Sequence, residues 1–185
     1  AGHVRIYEYS NSSWTQLGSD IDGEAANDRS SYSVSMNSAG DRVAIGARRN
    51  DGTASDAGHV RIYEYSNSSW TQLGSDIDGE AASDFSGNSV SMNSAGDRVA
   101  IGAPYNAGTG SNAGHVRIYE YSNSSWTQLG SDIDGEAASD FSGTSVSMNS
   151  AGDRVAIGAT DNDGTASDAG HVRIYEYSNS SWTQL

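Results

Sequence analysis

The sequence predicts an all-β protein, and three observations carry that prediction. The segment Ala-Gly-His-Val-Arg-Ile-Tyr-Glu-Tyr begins at Ala1, Ala57, Ala113 and Ala169, so the chain is a tandem repeat with a period of 56 residues. Its regular segments are rich in β-branched and aromatic residues and are bounded by Gly, Asn, Asp and Ser. No segment shows the 3.6-residue hydrophobic period of a helix. We therefore expect one repetitive β domain with units 1–56, 57–112 and 113–168 and a partial unit, 169–185.

Each unit contains four short segments with strand character. In one copy they span residues 89–93, 98–103, 114–122 and 125–129, which we name strands A, B, C and D. Residues 94–97 join A to B and residues 123–124 join C to D, and loops this short require antiparallel hairpins. Strands A and B carry small side chains that suit a crowded central axis, whereas C and D carry the aromatic residues.

Repeated four-stranded meanders predict a β-propeller with four-stranded antiparallel blades. The chain supplies C and D once and then A to D three times, so we expect three full blades plus one extra N-terminal hairpin. Three blades are too few to close a ring, which would leave strand edges and apolar faces open. We therefore expect a homo-oligomeric ring, most simply a dimer, or a ring completed by further repeats in a longer chain.

Composition excludes several classes of partner. The 185 residues include ten basic residues, all arginine, against 24 acidic ones, which gives a net charge of −14. Such a chain repels phosphates, so we expect no nucleic-acid partner and no anionic membrane partner. No apolar run reaches the roughly 20 residues of a membrane span, so we expect no membrane insertion. The absence of cysteine removes disulfides and thiolate chemistry. The acidic, lysine-free composition suits an extracellular or cell-surface protein.

Four segments of this sequence resemble the FG-GAP repeats of integrin-α-like β-propellers. They are Phe-Ser-Gly at 85–87, Val-Ala-Ile-Gly-Ala-Pro at 99–104, Gly-His-Val-Arg-Ile-Tyr at 114–119 and Trp-Thr-Gln at 126–128. The resemblance covers essentially the whole chain and is to the bacterial type that lacks the integrin calcium loop, since residues 93–97 have no run of acids. It implies a propeller used for adhesion or ligand binding and not for catalysis.

Differences between the units indicate where a ligand would bind. Units 57–112 and 113–168 differ at six positions and units 1–56 and 57–112 at nine, all within 27–32, 48–56 or their equivalents. These segments are the D–A and B–C connections, which emerge on the same face of a meander. Neutral drift of tolerant loops is the alternative explanation. The predicted binding residues for a protein or glycan ligand are Arg29, Tyr32, Arg48, Arg49, Phe85, Asn88, Tyr105, Asn106, Phe141, Thr144 and Asp161.

The D–A loops also repeat an acidic motif, Asp-Ile-Asp-Gly-Glu. Its acids are Asp20, Asp22 and Glu24, then Asp76, Asp78 and Glu80, then Asp132, Asp134 and Glu136. Alternate carboxylates on a glycine-containing loop supply part of a calcium shell, which makes calcium the candidate cofactor. The alternative is an acidic turn in which Asp accepts hydrogen bonds from loop amides.

Histidine recurs identically at the start of every C strand, at His3, His59, His115 and His171. A catalytic triad needs one unique constellation, so repetition favours a structural role and predicts that the chain is not an enzyme. We therefore expect a non-catalytic binding or adhesion module. One alternative is a structural or assembly repeat protein, natural or designed, without a small-molecule ligand. Another is an enzyme, which a unique cleft containing acids or histidine in only one blade would indicate.

Overall fold

The structure is a computed structural model that describes all residues from 1 to 185, and it contains 18 strands and no helix. The first four strands are β1 (His3–Val4), β2 (Tyr7–Ser10), β3 (Ser13–Gln16) and β4 (Ile21–Asp22). They form two two-stranded antiparallel ladders, β1 with β4 and β2 with β3. This part of the chain is the predicted extra hairpin, with its C strand split into β1 and β2.

Three larger antiparallel sheets follow. The first has the order β5 (Ser30–Met36), β6 (Arg42–Ala47), β7 (His59–Ser66) and β8 (Ser69–Gln72), with β9 (Ile77–Asp78) added to β7. The second repeats it with β10 (Ser89–Met92), β11 (Arg98–Ala103), β12 (His115–Ser122), β13 (Ser125–Gln128) and β14 (Ile133–Asp134). The third contains β15 (Ser142–Met148), β16 (Arg154–Ala159), β17 (His171–Ser178) and β18 (Ser181–Gln184). The all-β prediction and the order A to D are confirmed.

The short strands β4, β9 and β14 were not predicted, because they lie within the D–A connection. In each, a buried isoleucine pairs with the first valine of a C strand, as Ile77 does with Val60. Two residues are too few to show the period-2 pattern by which a strand is recognised. Burial of the isoleucine nevertheless anchors the connection to its own sheet.

The hydrophobic core lies between successive sheets. Val43 and Ile45 of β6 belong to a cluster with Ile6 of the N-terminal segment, whereas Ala44 belongs to a second cluster with Val99 of the next sheet. Adjacent residues of one strand point to opposite faces, so the sheet that contains β6 is buried on both sides. In the third sheet, Val172 and Ile174 are exposed and one face is open. The apolar residues of strands B and C therefore join neighbouring units in place of a common central core.

Near the A strands, neighbouring sheets approach closely enough for side chains to hydrogen-bond across the interface. The Ser35 hydroxyl accepts a hydrogen bond from the Met92 amide at 3.0 Å, and the Ser91 hydroxyl accepts one from the Met148 amide at 2.9 Å. Small polar side chains on strand A thus satisfy backbone donors of the following unit. No segment of the structure has the length and hydrophobicity of a membrane-spanning helix.

Candidate ligand-binding site

The variable loops of three units meet in one cleft of about 290 Å³. Its lining residues are Tyr32, Arg48, Asn88, Pro104, Tyr105, Phe141, Thr144, Thr160 and Asp161. All nine occupy positions at which the units differ from one another. The D–A and B–C connections therefore share one face, and we call this site the variable cleft. Pro104 and Thr160 were absent from the predicted binding set, although variation at their position was the signal that could have included them.

A chain of hydrogen bonds crosses the variable cleft. Arg48 Nη1 donates to Asn88 Oδ1 at 3.0 Å, and Asn88 Nδ2 donates to the Thr144 carbonyl at 3.3 Å. The Thr144 hydroxyl in turn donates to the Phe141 carbonyl at 2.7 Å. These residues come from three successive units, and the network holds the loops of the three units together. Equivalent positions carry different side chains, so the network occurs only once in the chain.

Aromatic side chains form the walls of the cleft. The Arg48 guanidinium lies 3.8 Å from the centre of the Tyr32 ring, a cation–π contact. Tyr105 makes edge-to-face contacts with Phe85 and Phe141, with ring centres 5.0 and 5.2 Å apart. Tyr32 and Tyr105 remain 48% and 40% exposed. Two tyrosine rings are therefore fixed by packing and still open to a ligand.

The backbone is held in an unusual conformation beside the cleft. Arg29, Phe85 and Phe141 have φ values of 54°, 54° and 53°, in the left-handed region that non-glycine residues rarely adopt. Each begins a short turn in which its carbonyl accepts a hydrogen bond from the amide three residues later, as Phe85 does from Asn88. Such conformations cost free energy and tend to occur at functional sites.

Four predicted binding residues, Arg29, Arg49, Phe85 and Asn106, lie outside the lining of the variable cleft. Arg29 is exposed, and the Arg49 guanidinium lies 5.6 Å from the centre of the Phe85 ring. Asn106 is only 7% exposed, and its side chain points into the loop. There Nδ2 donates to Asp84 Oδ2 at 2.9 Å and Oδ1 accepts from the Gly108 amide. Its equivalents Asn50 and Asn162 make the same pair of contacts. Asn106 therefore braces the loop from inside.

The acids of one D–A loop do not converge on a common point. Asp20 accepts hydrogen bonds from Arg5 and Gln16, and these bonds hold the pKa of Asp20 below its ordinary value. Glu24 instead forms an ion pair with Arg61 of the following unit. The set Asp20, Asp22 and Glu24 is thus not one cation shell, and the equivalent sets Asp76, Asp78, Glu80 and Asp132, Asp134, Glu136 are not brought together either.

Acids from successive loops instead meet around a histidine. His59 Nδ1 lies 3.6 Å from Asp76 Oδ2 and 3.9 Å from Glu24 Oε2. Burial lowers the pKa of His59, although the two nearby carboxylates oppose that shift. Burial alone would raise the pKa of Asp76, but hydrogen bonds from Arg61 and Gln72 outweigh it and the pKa is lowered. The neutral imidazole and ionised carboxylate are therefore the favoured forms.

No model of a known protein family matches the chain, and no curated protein matches it in sequence. Solved structures do match it. A putative 6-phosphogluconolactonase from Bacteroides uniformis superposes with a TM-score of 0.64 at 8% identity, covering 99% of this chain and 50% of its own. A second one, from Bacteroides fragilis, gives a TM-score of 0.55 at 12% identity over 82% of this chain and 36% of its own. Saccharomyces cerevisiae Sqt1 gives 0.54 at 16% identity over 86% and 35%.

The chain has a β-propeller fold. Each of these solved structures is a β-propeller, and the chain spans half or less of the length of each. At such low identity the likeness concerns the fold alone, so the predicted fold class is confirmed and no activity is transferred. The FG-GAP resemblance remains an inference from the sequence.

The prediction that the chain is not an enzyme is corrected, because two of these β-propellers are described as putative 6-phosphogluconolactonases and the fold therefore does not exclude catalysis. The prediction rested partly on the repetition of residues such as histidine in every unit. The variable cleft shows why that reasoning fails, since it combines Arg48, Asn88 and Asp161, each supplied by a different unit. A repetitive chain can therefore contain a site that occurs once.

Proposed function

We propose that the chain is a β-propeller binding module that recognises a neutral oligosaccharide through the variable cleft. The observation that carries the proposal is the lining itself, in which every residue occupies a position that differs between units. The scaffold and the opposite loops are identical in all copies, so chemical diversity is concentrated at this one site. Recognition residues on variable loops of a rigid scaffold are a common arrangement in binding proteins.

The chemistry of the cleft favours a sugar. The exposed rings of Tyr32 and Tyr105 offer flat apolar surfaces for the C–H face of a pyranose, and Asn88 and Asp161 offer groups that hydrogen-bond to hydroxyls. One arginine and one aspartate balance each other in the lining, in a chain whose net charge is −14. A local charge near zero suits a neutral ligand better than a phosphorylated or acidic one.

The size of the cleft and the sequence resemblance agree with this proposal. A volume of about 290 Å³ lies at the lower end of the roughly 300–1,000 Å³ of small-molecule sites, which suits one or two sugar rings. The FG-GAP resemblance adds an adhesive role, in which the glycan belongs to a neighbouring cell or matrix and the chain is extracellular or at the cell surface. Binding a surface glycan would be the molecular event of that adhesion.

A glycan array followed by calorimetry with the sugar that binds tests the proposal. Tyr105→Ala and Asp161→Asn should each weaken binding by about tenfold or more, because each removes a ring or a charged hydrogen-bond acceptor from the cleft. Tyr9→Ala is the matched control, since Tyr9 is an exposed tyrosine outside the cleft. The proposal fails if no neutral glycan binds, or if the control lowers affinity as much as the cleft variants do.

A further inference from the structure

His59 has a buried ring nitrogen without a hydrogen-bond partner. Its side chain is only 5% exposed, and Nδ1 receives and donates no hydrogen bond. Two carboxylate oxygens lie within 4.0 Å of Nδ1, Asp76 Oδ2 at 3.6 Å and Glu24 Oε2 at 3.9 Å, and both are too far for a hydrogen bond. A buried polar atom that faces two carboxylates without contacting either is unfavourable unless something lies between them.

We propose that Glu24, His59 and Asp76 form a binding site for a divalent transition metal such as zinc. One ligand atom from each residue lies within 4.8 Å of the other two, so small side-chain rotations would bring all three around one ion. Imidazole nitrogen with carboxylate oxygen suits zinc, whereas calcium takes oxygen ligands. The ion would give His59 Nδ1 the partner that it lacks.

The next unit repeats these distances. His115 Nδ1 lies 3.7 Å from Asp132 Oδ2 and 3.9 Å from Glu80 Oε2, and His115 is 1% exposed. Each site is shared between units, because the glutamate comes from one D–A loop and the aspartate from the next. Zinc would therefore join successive units, and we expect two ions per chain.

An arginine next to each site sets its charge and its access. Arg61 contacts both Glu24 and Asp76, whereas the equivalent Arg117 donates to the Asp78 carbonyl at 2.8 Å and approaches Glu80 Oε1 at 3.3 Å. The two equivalent arginines thus adopt different orientations, and that of Arg117 leaves Asp132 without an arginine contact. With a neutral histidine, two carboxylates and one guanidinium carry a net charge of −1, which attracts a cation.

A control for the number of ligands lies in the third unit. His171 Nδ1 lies 3.7 Å from Glu136 Oε2, and residues 1–185 offer this pair no third ligand. A pair of ligands holds zinc far more weakly than three do. Residues 1–185 therefore contain two groups of three ligands and one pair.

Zinc titration by calorimetry of chelator-treated protein tests the proposal, with Co²⁺ absorption as the spectroscopic readout of histidine ligation. The wild type should bind two Zn²⁺ per chain. Glu24→Gln should lower zinc affinity at least about tenfold at one site, and the double variant Glu24→Gln with Glu80→Gln should do so at both sites. Both glutamates are nearly half exposed, so these variants should keep the fold, which circular dichroism checks.

Glu136→Gln is the matched control, and it should still bind two ions. His59→Gln should remove the Co²⁺ band of one site. The proposal is overturned if zinc does not bind in a saturable way, if the double variant binds as the wild type does, or if Ca²⁺ occupies these groups in preference to Zn²⁺.

Discussion

Trp126 Nε1 donates a hydrogen bond to the main-chain carbonyl of Leu73, which lies 2.8 Å away in space and 53 residues earlier in the chain. Trp70 makes the same bond to Leu17, and Trp182 makes it to Leu129. Each indole also packs against the hydrophobic cluster between its own sheet and the preceding one. The tryptophan of strand D therefore joins each unit to the one before it.

Replacing Trp126 with phenylalanine should lower the free energy of unfolding by about 1–3 kcal/mol, because the Leu73 carbonyl loses its donor and part of the packing is lost. Trp14→Phe is the control, since Trp14 is 67% exposed and makes no such bond. Chemical denaturation of the two variants measures the difference. Equal losses would mean that the hydrogen bond between units does not contribute to stability.

Gly102 lies where two sheets almost touch. A Cβ at this position would overlap the backbone carbonyl oxygen of Gly143 in the next sheet as well as the Ser89 hydroxyl. Gly102→Ala should therefore cost about 3 kcal/mol or prevent folding. At the equivalent Gly158 a Cβ would meet only the Ser145 side chain, which can rotate. Gly158→Ala should be markedly less destabilising in thermal unfolding, and the reverse order would contradict the packing described above.

Arg98 forms part of a second connection between units. It pairs with Glu120 and also donates to the Gly152 carbonyl at 3.2 Å in the next unit. Arg154 makes the equivalent ion pair with Glu176, but its side chain is 56% exposed and donates no hydrogen bond to a carbonyl of another unit. Arg98→Met should cost about 1–2 kcal/mol, and Arg154→Met should cost markedly less, because solvent screens an exposed ion pair. Urea unfolding of the two variants measures the loss of unfolding free energy. Similar losses would show that the ion pair contributes to stability and the bond to the Gly152 carbonyl does not.

We predict that the chain self-associates through exposed apolar side chains of its third sheet. Val172 and Ile174 are 65% and 47% exposed, whereas the equivalent Val116 and Ile118 are fully buried against the next sheet. A second copy packed on this face would bury them in the same way. Native mass spectrometry should give twice 19.3 kDa, and Val172→Asp should give the single mass. Ala95→Asp is the control, because Ala95 is exposed in the turn between β10 and β11. A monomeric wild type would contradict the prediction.

Local sequence signals predicted the sheets accurately. Strand B was predicted over 98–103, as observed, and strand D over 125–129, one residue longer than the observed Ser125–Gln128. Both follow from β-branched and aromatic residues between turn-forming ones, and the short A–B and C–D connections require antiparallel pairing. The common face of the variable loops also followed, because strand direction alternates along a meander. These features depend on residues close together in the chain, so one repeat contained all the information needed for them.

The short strand Ile77–Asp78 and the inward position of Asn106 were not predictable in this way, because both depend on what packs over them. Asn106 is buried by its bond to Asp84, and Ile77 by the valine of strand C beside it. A polar asparagine in a loop has the same sequence signature whether its side chain faces solvent or the interior. Burial by a neighbour is decided only when the loops pack.

By itself the sequence determined the repeat, the four strands of each unit and the face on which its variable residues lie. Only the tertiary structure decided which residues meet: Tyr105 with Phe85 and Phe141 in the variable cleft, and Glu24 with His59 across two units. The reason is physical. Hydrogen bonding within a hairpin is set by neighbours in the chain, whereas contacts between residues tens of positions apart depend on how closely and at what angle successive sheets pack.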